Sequence, residues 1–148
     1  MVGTRSEKAL VLHGRGCNCA QSVLGVFAPG LGMTEETALR VATGFGGGMG
    51  RTSGTCGAVT GACMAIGLMR GMRSTEDAAA KEATYEAVED FVQRFREAHG
   101  SVACTELLEV DLGTPEGRAA AKERGLFATR CNGFIRDAVI ILEDVSAS

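Results

Sequence analysis

The chain has 148 residues, is 45% hydrophobic and carries a net charge of −3 from 18 acidic and 15 basic side chains. That is enough apolar material for one domain with a continuous core, here taken as residues 1–148, and too little for two. The acidic balance and scattered Arg and Lys provide no basic stripe, so neither nucleic acid nor an anionic membrane surface is an expected partner.

Helix punctuation is frequent and strict alternation nearly absent, which predicts an all-α fold, a single-domain bundle of seven or eight helices. The first helix is expected over residues 5–13, ended by Gly14 and Gly16. Its charged Arg5-Ser6-Glu7-Lys8 stretch stands where a secretory leader needs an apolar run, so a cytosolic, reducing location is expected. A second helix starts at Asn18 or Cys19 and stops at the Pro29-Gly30 turn; Thr34 caps a third, with Glu35 and Glu36 in its first turn. After a glycine-rich stretch, Ser53 or Thr55 is expected to cap a helix through Cys56, Val59, Cys63 and Ile66 to about Gly71. Although residues 52–69 are uncharged, Gly54, Gly57, Gly61 and Gly67 interrupt them, so they read as a buried helix rather than a membrane span.

Ser74 and Asp77 resemble a capping box for a long amphipathic helix to about residue 98, with Val88, Phe91, Val92 and Phe95 on one face and Gly100 after its end. Ser101 is expected to cap a short helix holding Cys104, Leu107 and Leu108. Thr114-Pro115 opens another, closed by Gly125, and a last helix spans residues 130–144 with Cys131 at its start.

Four of the six cysteines, Cys19, Cys56, Cys104 and Cys131, thus fall at expected helix starts, where unpaired N–H groups and partial positive charge favour a thiolate. In a reducing compartment they are better read as reactive or metal-binding than as structural disulfides. Cys17 forms a Cys-x-Cys pair with Cys19 and is a further candidate, as adjacent ligand or resolving thiol. Cys63, two turns beyond Cys56, reads as a small buried residue. Arg15, Arg51 and Arg130 lie near cysteines in sequence and could deepen the thiolate bias; His13 and His99, near helix C-termini, read as caps.

No Cys-x-x-Cys exists, which argues against thioredoxin-type and zinc-ribbon sites, and no Cys-x-x-Cys-His exists for covalent haem. The stretch Gly44-Phe45-Gly46-Gly47-Gly48-Met49-Gly50 fails both nucleotide patterns. Arg51 stands where a P-loop needs Lys, Phe45 where it needs its first Gly, and Gly-x-Gly-x-x-Gly fits in no register. Two roles stand for it: a plain flexible loop between helices, or a geometric one in which Gly48 lets the backbone pass close to a sulfur site; Gly57 is expected to keep space open beside Cys56. The small face formed by Gly57, Gly61 and Ala65 suits close helix packing, within the chain or between two subunits of a homodimer.

The segments Asn18-Cys19-Ala20-Gln21-Ser22-Val23, Gly46-Gly47-Gly48-Met49-Gly50-Arg51 and Cys56-Gly57-Ala58-Val59-Thr60-Gly61, followed by single Cys104 and Cys131, resemble the C_GCAxxG_C_C family of redox-active proteins. The likeness runs from about the first helix to Cys131. It implies that Cys19, Cys56, Cys104 and Cys131 are the characteristic cysteines, with Cys17 and Cys63 as additions of this chain. A similar region in split-Soret cytochromes implies an iron–sulfur centre. Three readings stand: thiol/disulfide exchange with a redox partner protein or a small thiol or disulfide, started by Cys56 or Cys19; a [2Fe-2S]-type electron carrier; and a structural zinc domain.

Overall fold

The computed structural model describes residues 3–147 and shows an all-α bundle. Its helices are α1 (Arg5–Gly14), α2 (Cys19–Phe27), α3 (Glu35–Ala42), α4 (Gly57–Arg70), α5 (Ala78–His99), α6 (Cys104–Leu108), α7 (Pro115–Glu123) and α8 (Asn132–Ser146), with a 3₁₀ turn at Ala28–Leu31. Among the described residues the only β-type pairing is one isolated bridge, Thr55 to Ala103. No helix there is long and apolar enough to cross a membrane.

Capping explains most of the boundaries. Thr4 and Glu7 form a capping box on α1, Asn18 and Gln21 form one on α2, and Thr34 and Thr114 accept from backbone N–H groups of α3 and α7. Three expected caps are corrected. Asp77, not Ser74, caps α5, its carboxylate accepting from Ala80 N at 3.1 Å. Cys56 itself occupies the cap position of α4, while Ser53 donates to the Asp111 carboxylate and Thr55 is taken by its bridge. Ala103 caps α6, with Ser101 Oγ accepting from Ala103 N at 3.0 Å instead. The last helix is corrected too: a π-turn at Phe127–Cys131 runs straight into α8, so Cys131 sits inside continuous helical backbone rather than at a free start.

α2, α4, α5 and α8 surround the core, with α1 packed on α2 and α8 and α3 on α2. Leu24, Ile66, Phe91, Phe95, Leu108, Ile135 and Leu142 are its largest fully buried apolar side chains. α2 and α4 make the most extensive contact, because a Cβ on Gly61 would stand 2.7 Å from Ala20 O and 3.0 Å from Ala20 Cα. The Gly57/Gly61/Ala65 face is therefore filled by α2 of the same chain.

Between α3 and α4 the chain forms a cradle. Residues 47–51 and Ser53 all have left-handed φ, including the non-glycines Met49, Arg51 and Ser53 at +62° to +68°. Each such non-glycine costs about 1–3 kcal/mol unless its surroundings fix it. Here they do: Gly54 N donates to Gly48 O (3.0 Å), Cys104 N to Gly54 O (2.9 Å) and Cys56 N to Val102 O (2.7 Å). The cradle is thereby clasped to the segment that starts α6.

Candidate functional site

Each motif cysteine is delivered by a different piece of this framework. Asn18 sets the first. As cap of α2 it accepts from Gln21 N at 2.9 Å, and its Nδ2 donates to Thr43 O at 2.9 Å, while Gln21 Nε2 donates to Leu39 O and Thr43 Oγ1, both at 3.0 Å. The first turn of α2, with Cys19 at its head, is thus bolted to the entrance of the glycine cradle. Cys56 heads α4 and Cys104 heads α6, held together by the Val102 and Gly54 bonds just described. Cys131 ends the π-turn; its neighbour Arg130 donates to Glu109 Oε2 at 2.8 Å and Leu107 O at 3.3 Å, anchoring that turn to α6.

All four line one cavity of about 90 Å³, with His13, Asn18, Gly47, Gly48, Gly57, Leu112, Phe127 and Phe134 among its other walls. Cys56, Cys104 and Cys131 are buried, and Cys19 is half-buried. The Cys19 thiol is within hydrogen-bonding reach of both Cys131 and Cys56. All six cysteines of the chain are free thiols.

The glycines set the spacing. A Cβ on Gly48 would lie 2.8 Å from Cys104 Cβ, and one on Gly57 would lie 2.9 Å from Ala20 N and 3.1 Å from Cys19 Cβ. Neither position has room for a side chain while the cysteine beside it stays where it is.

The four sulfurs are not electrostatically alike. Cys56 is lowered from the ordinary thiol value, first by the hydrogen bond from Cys19 and further by backbone N–H groups of Ala58 and Val59 at the start of α4, which together outweigh burial. Cys19 is raised well above it, chiefly because its proton is held by bonds to Cys131 and Cys56. Cys104 is pushed up to about 12, mainly by burial and then by charge on Cys56, Cys131 and Asp111. The expectation that helix starts would activate every motif sulfur is thus corrected. Hydrogen bonds to Cys131 and Cys56 defeat the terminal N–H groups at Cys19, and burial followed by neighbouring charge does so at Cys104, where α6 is only five residues long.

Cys17 is not brought to the cavity. It lines an adjoining surface pocket, which shares His13, Asn18 and Phe127 with the cavity, and burial, then Glu35, raises its thiol. Cys63 is half-buried on α4, away from the cavity wall, and raised by burial. Arg130 faces Glu109 rather than a thiolate, and Arg51 lies over Gly47.

Among the wall residues that the sequence reading missed are His13 and Phe134. His13 sits in the last turn of α1, as expected of a cap, yet its ring lines the cavity and its Nδ1 donates to Asn132 Oδ1 at 2.8 Å. No local signal marks that contact, which spans 119 residues of chain. Phe134 and His99 meet in a T-shaped contact, ring centroids 5.0 Å apart, while His99 also meets Phe95 at 4.8 Å. An i, i+3 step from Cys131 was the one available hint for Phe134. Among the described residues, no three His, Cys, Asp or Glu side chains are disposed to hold a metal ion.

No curated protein and no solved structure matches the chain. A family model does, over residues 17–145, from just before the cap of α2 to the last turn of α8, and its description is "Putative redox-active protein (C_GCAxxG_C_C)". The stretch includes every cysteine of the cavity, and the chain belongs to the C_GCAxxG_C_C family of redox-active proteins.

Proposed function

We propose that the protein carries out thiol/disulfide exchange, with Cys56 as nucleophile and Cys19 as resolving thiol. The observation that carries this reading is the hydrogen bond between the Cys19 thiol and Cys56 at the head of α4, a bond that, with the α4 N–H groups behind it, lowers Cys56 towards the thiolate. Such a pair has one sulfur ready to attack and the other protonated until needed.

In the first step the Cys56 thiolate attacks one sulfur of a disulfide, the S–S electron pair leaves on the departing thiolate, and a mixed disulfide forms. Cys19 then loses its charged acceptor and gives up its proton to the departing thiolate. His13 lines the same cavity with its Nδ1 bonded to Asn132 Oδ1, which leaves Nε2 as the ring atom that can carry that proton. Cys19 Sγ attacks Cys56 Sγ and releases the second thiolate. Two electrons pass from the protein dithiol to the substrate, leaving a Cys19–Cys56 disulfide, one small thiol that carries the Cys19 proton and one small thiolate that takes its proton from water. A reducing, cytosolic compartment is where that disulfide would be returned to the dithiol.

A second reading rests on a different observation, that four cysteines from four separate segments line one cavity. Their number and type are those of an iron–sulfur centre, which would supply one-electron transfer when bound, although among the described residues no three of them are disposed to hold a metal ion. Protein purified without oxygen decides between the two. Expected is a colourless protein that consumes one equivalent of disulfide and yields a Cys19–Cys56 linked peptide. Visible absorption with matched iron and acid-labile sulfide would replace exchange by electron carriage.

A further inference from the structure

Beside the cysteine cavity lies a larger open groove of about 520 Å³, lined by Asn18, Gly47, Leu112 and Phe127, which it shares with the cavity, and by Arg51, Arg118 and Lys122. Three cations face it and no carboxylate does, in a chain whose acidic residues outnumber its basic ones. None of the three is ion-paired among the described residues; Arg118 Nη1 donates to Leu112 O at 3.0 Å. Arg118 and Lys122 are four residues apart on α7 and so share one face, an arrangement of like charges that weakens a helix unless something anionic lies between them. Arg51 is presented by backbone at φ +68°, over Gly47, on the side where groove and cavity meet.

We propose that this groove is the substrate-recognition site and binds the anionic end of a small carboxylate-bearing disulfide, whose sulfurs enter between Gly47 and Phe127 to reach Cys56. The inference deepens the exchange reading and rests on it. A volume of this size takes a small molecule rather than a folded partner. Cations in a concave wall beside a nucleophile raise the local concentration of an oppositely charged substrate, whereas a neutral disulfide gains nothing from them. The redox step is the one already written, with the disulfide as oxidant.

The test uses the reduced full chain and three small disulfides of similar length: dithiodipropionate (dianionic), bis(2-hydroxyethyl) disulfide (neutral) and cystamine (dicationic). Formation of the Cys19–Cys56 disulfide is timed by mass spectrometry after alkylation, and each rate is divided by that of the same disulfide with a neutral small thiol. Expected is an order dianion, neutral, dication, with the dianion ahead by about ten-fold at low salt and less as salt rises. In Arg51→Gln/Lys122→Gln that lead collapses while the neutral disulfide keeps its rate. Equal normalised rates in the wild type, or a lead that survives the double variant, would overturn the proposal.

A separate arm titrates ¹⁵N-labelled protein with adipate, a dicarboxylate without sulfur. Shifts at Gly47, Gly50 and Lys122 that vanish in the double variant support the groove even if no disulfide reacts, in which case the exchange reading alone fails. No adipate shifts together with no charge preference overturns the groove and leaves exchange standing.

Discussion

Gly48→Ala should destabilise the reduced protein by far more than the same change at Gly32, and the difference measures how tightly the cradle is closed on Cys104. Both glycines have left-handed φ, +67° and +87°, so each substitution carries a conformational cost of about 1 kcal/mol. At Gly32 nothing lies within 4 Å of the new methyl group, and the cost ends there. At Gly48 the methyl would sit 2.8 Å from both Cys104 Cβ and Gly54 O and 2.9 Å from Gly54 N. Two of those atoms belong to backbone fixed by the Gly54–Gly48 and Cys104–Gly54 bonds, so they cannot rotate away. Overpacking of this kind adds about 1–3 kcal/mol, for a total near 2–4 at Gly48 against about 1 at Gly32. Urea unfolding of both variants in excess reductant, followed by helical circular dichroism, gives the comparison directly. If Gly48→Ala cost no more than Gly32→Ala, the cradle would have room to give, and the argument that its backbone sets the cysteine spacing would fail.

Alkylation by iodoacetamide, read cysteine by cysteine, should find Cys56 the first to ionise as pH rises, and Cys19→Ala should move that onset upward by removing the donor that holds the thiolate. Linkage gives the two buried sulfurs opposite signs: Cys56, lowered, stabilises above the unfolded thiol value and loses this as pH falls through its own. Cys104 contributes below the unfolded value and loses it as pH rises towards about 12, so urea midpoints should drop in alkali and drop less in Cys104→Ala. Asn18→Ala should cost about 1–2 kcal/mol through its lost cap and should also raise the Cys56 onset by loosening the first turn of α2; an unchanged onset would detach Asn18 from the site. Phe91→Ala, in the centre of the core, should cost about 3–5 kcal/mol by urea unfolding without altering the alkylation order.

The helices that the sequence announces are those whose caps act locally. Asn18, Thr34 and Thr114 each accept from an N–H three residues on, so the cap and its partner are adjacent in the chain and can be read there. Ser53, Ser74 and Ser101 look equally suitable, yet none caps its helix. Ser53 spends its hydroxyl on Asp111, 58 residues away, and a side chain cannot be assigned to its own turn when a distant acceptor competes for it. The π-turn before α8 leaves no trace either, since one extra residue in a turn changes no apolar period that a short window could detect.

The site divides along the same line. That Cys19, Cys56 and Cys104 stand at helix starts follows from caps and glycines, and the convergence of all four motif cysteines is placed by contacts that the family pattern anticipates and periodicity does not. Their charge could not be read, because a helix start acts on one sulfur at a time while ionisation inside a shared cavity is collective. Each thiolate added to a buried space of about 90 Å³ raises the cost of the next, and the N–H groups of one helix offset only one such charge. The structure resolves that competition in favour of Cys56, which has both the α4 N–H groups and a protonated neighbour, and it makes Cys19 the donor rather than a rival. Activation at this site is therefore a property of the pair: the Cys19 hydrogen bond is the largest influence lowering Cys56, and in the proposed exchange Cys19 gives up its proton only after Cys56 has formed the mixed disulfide.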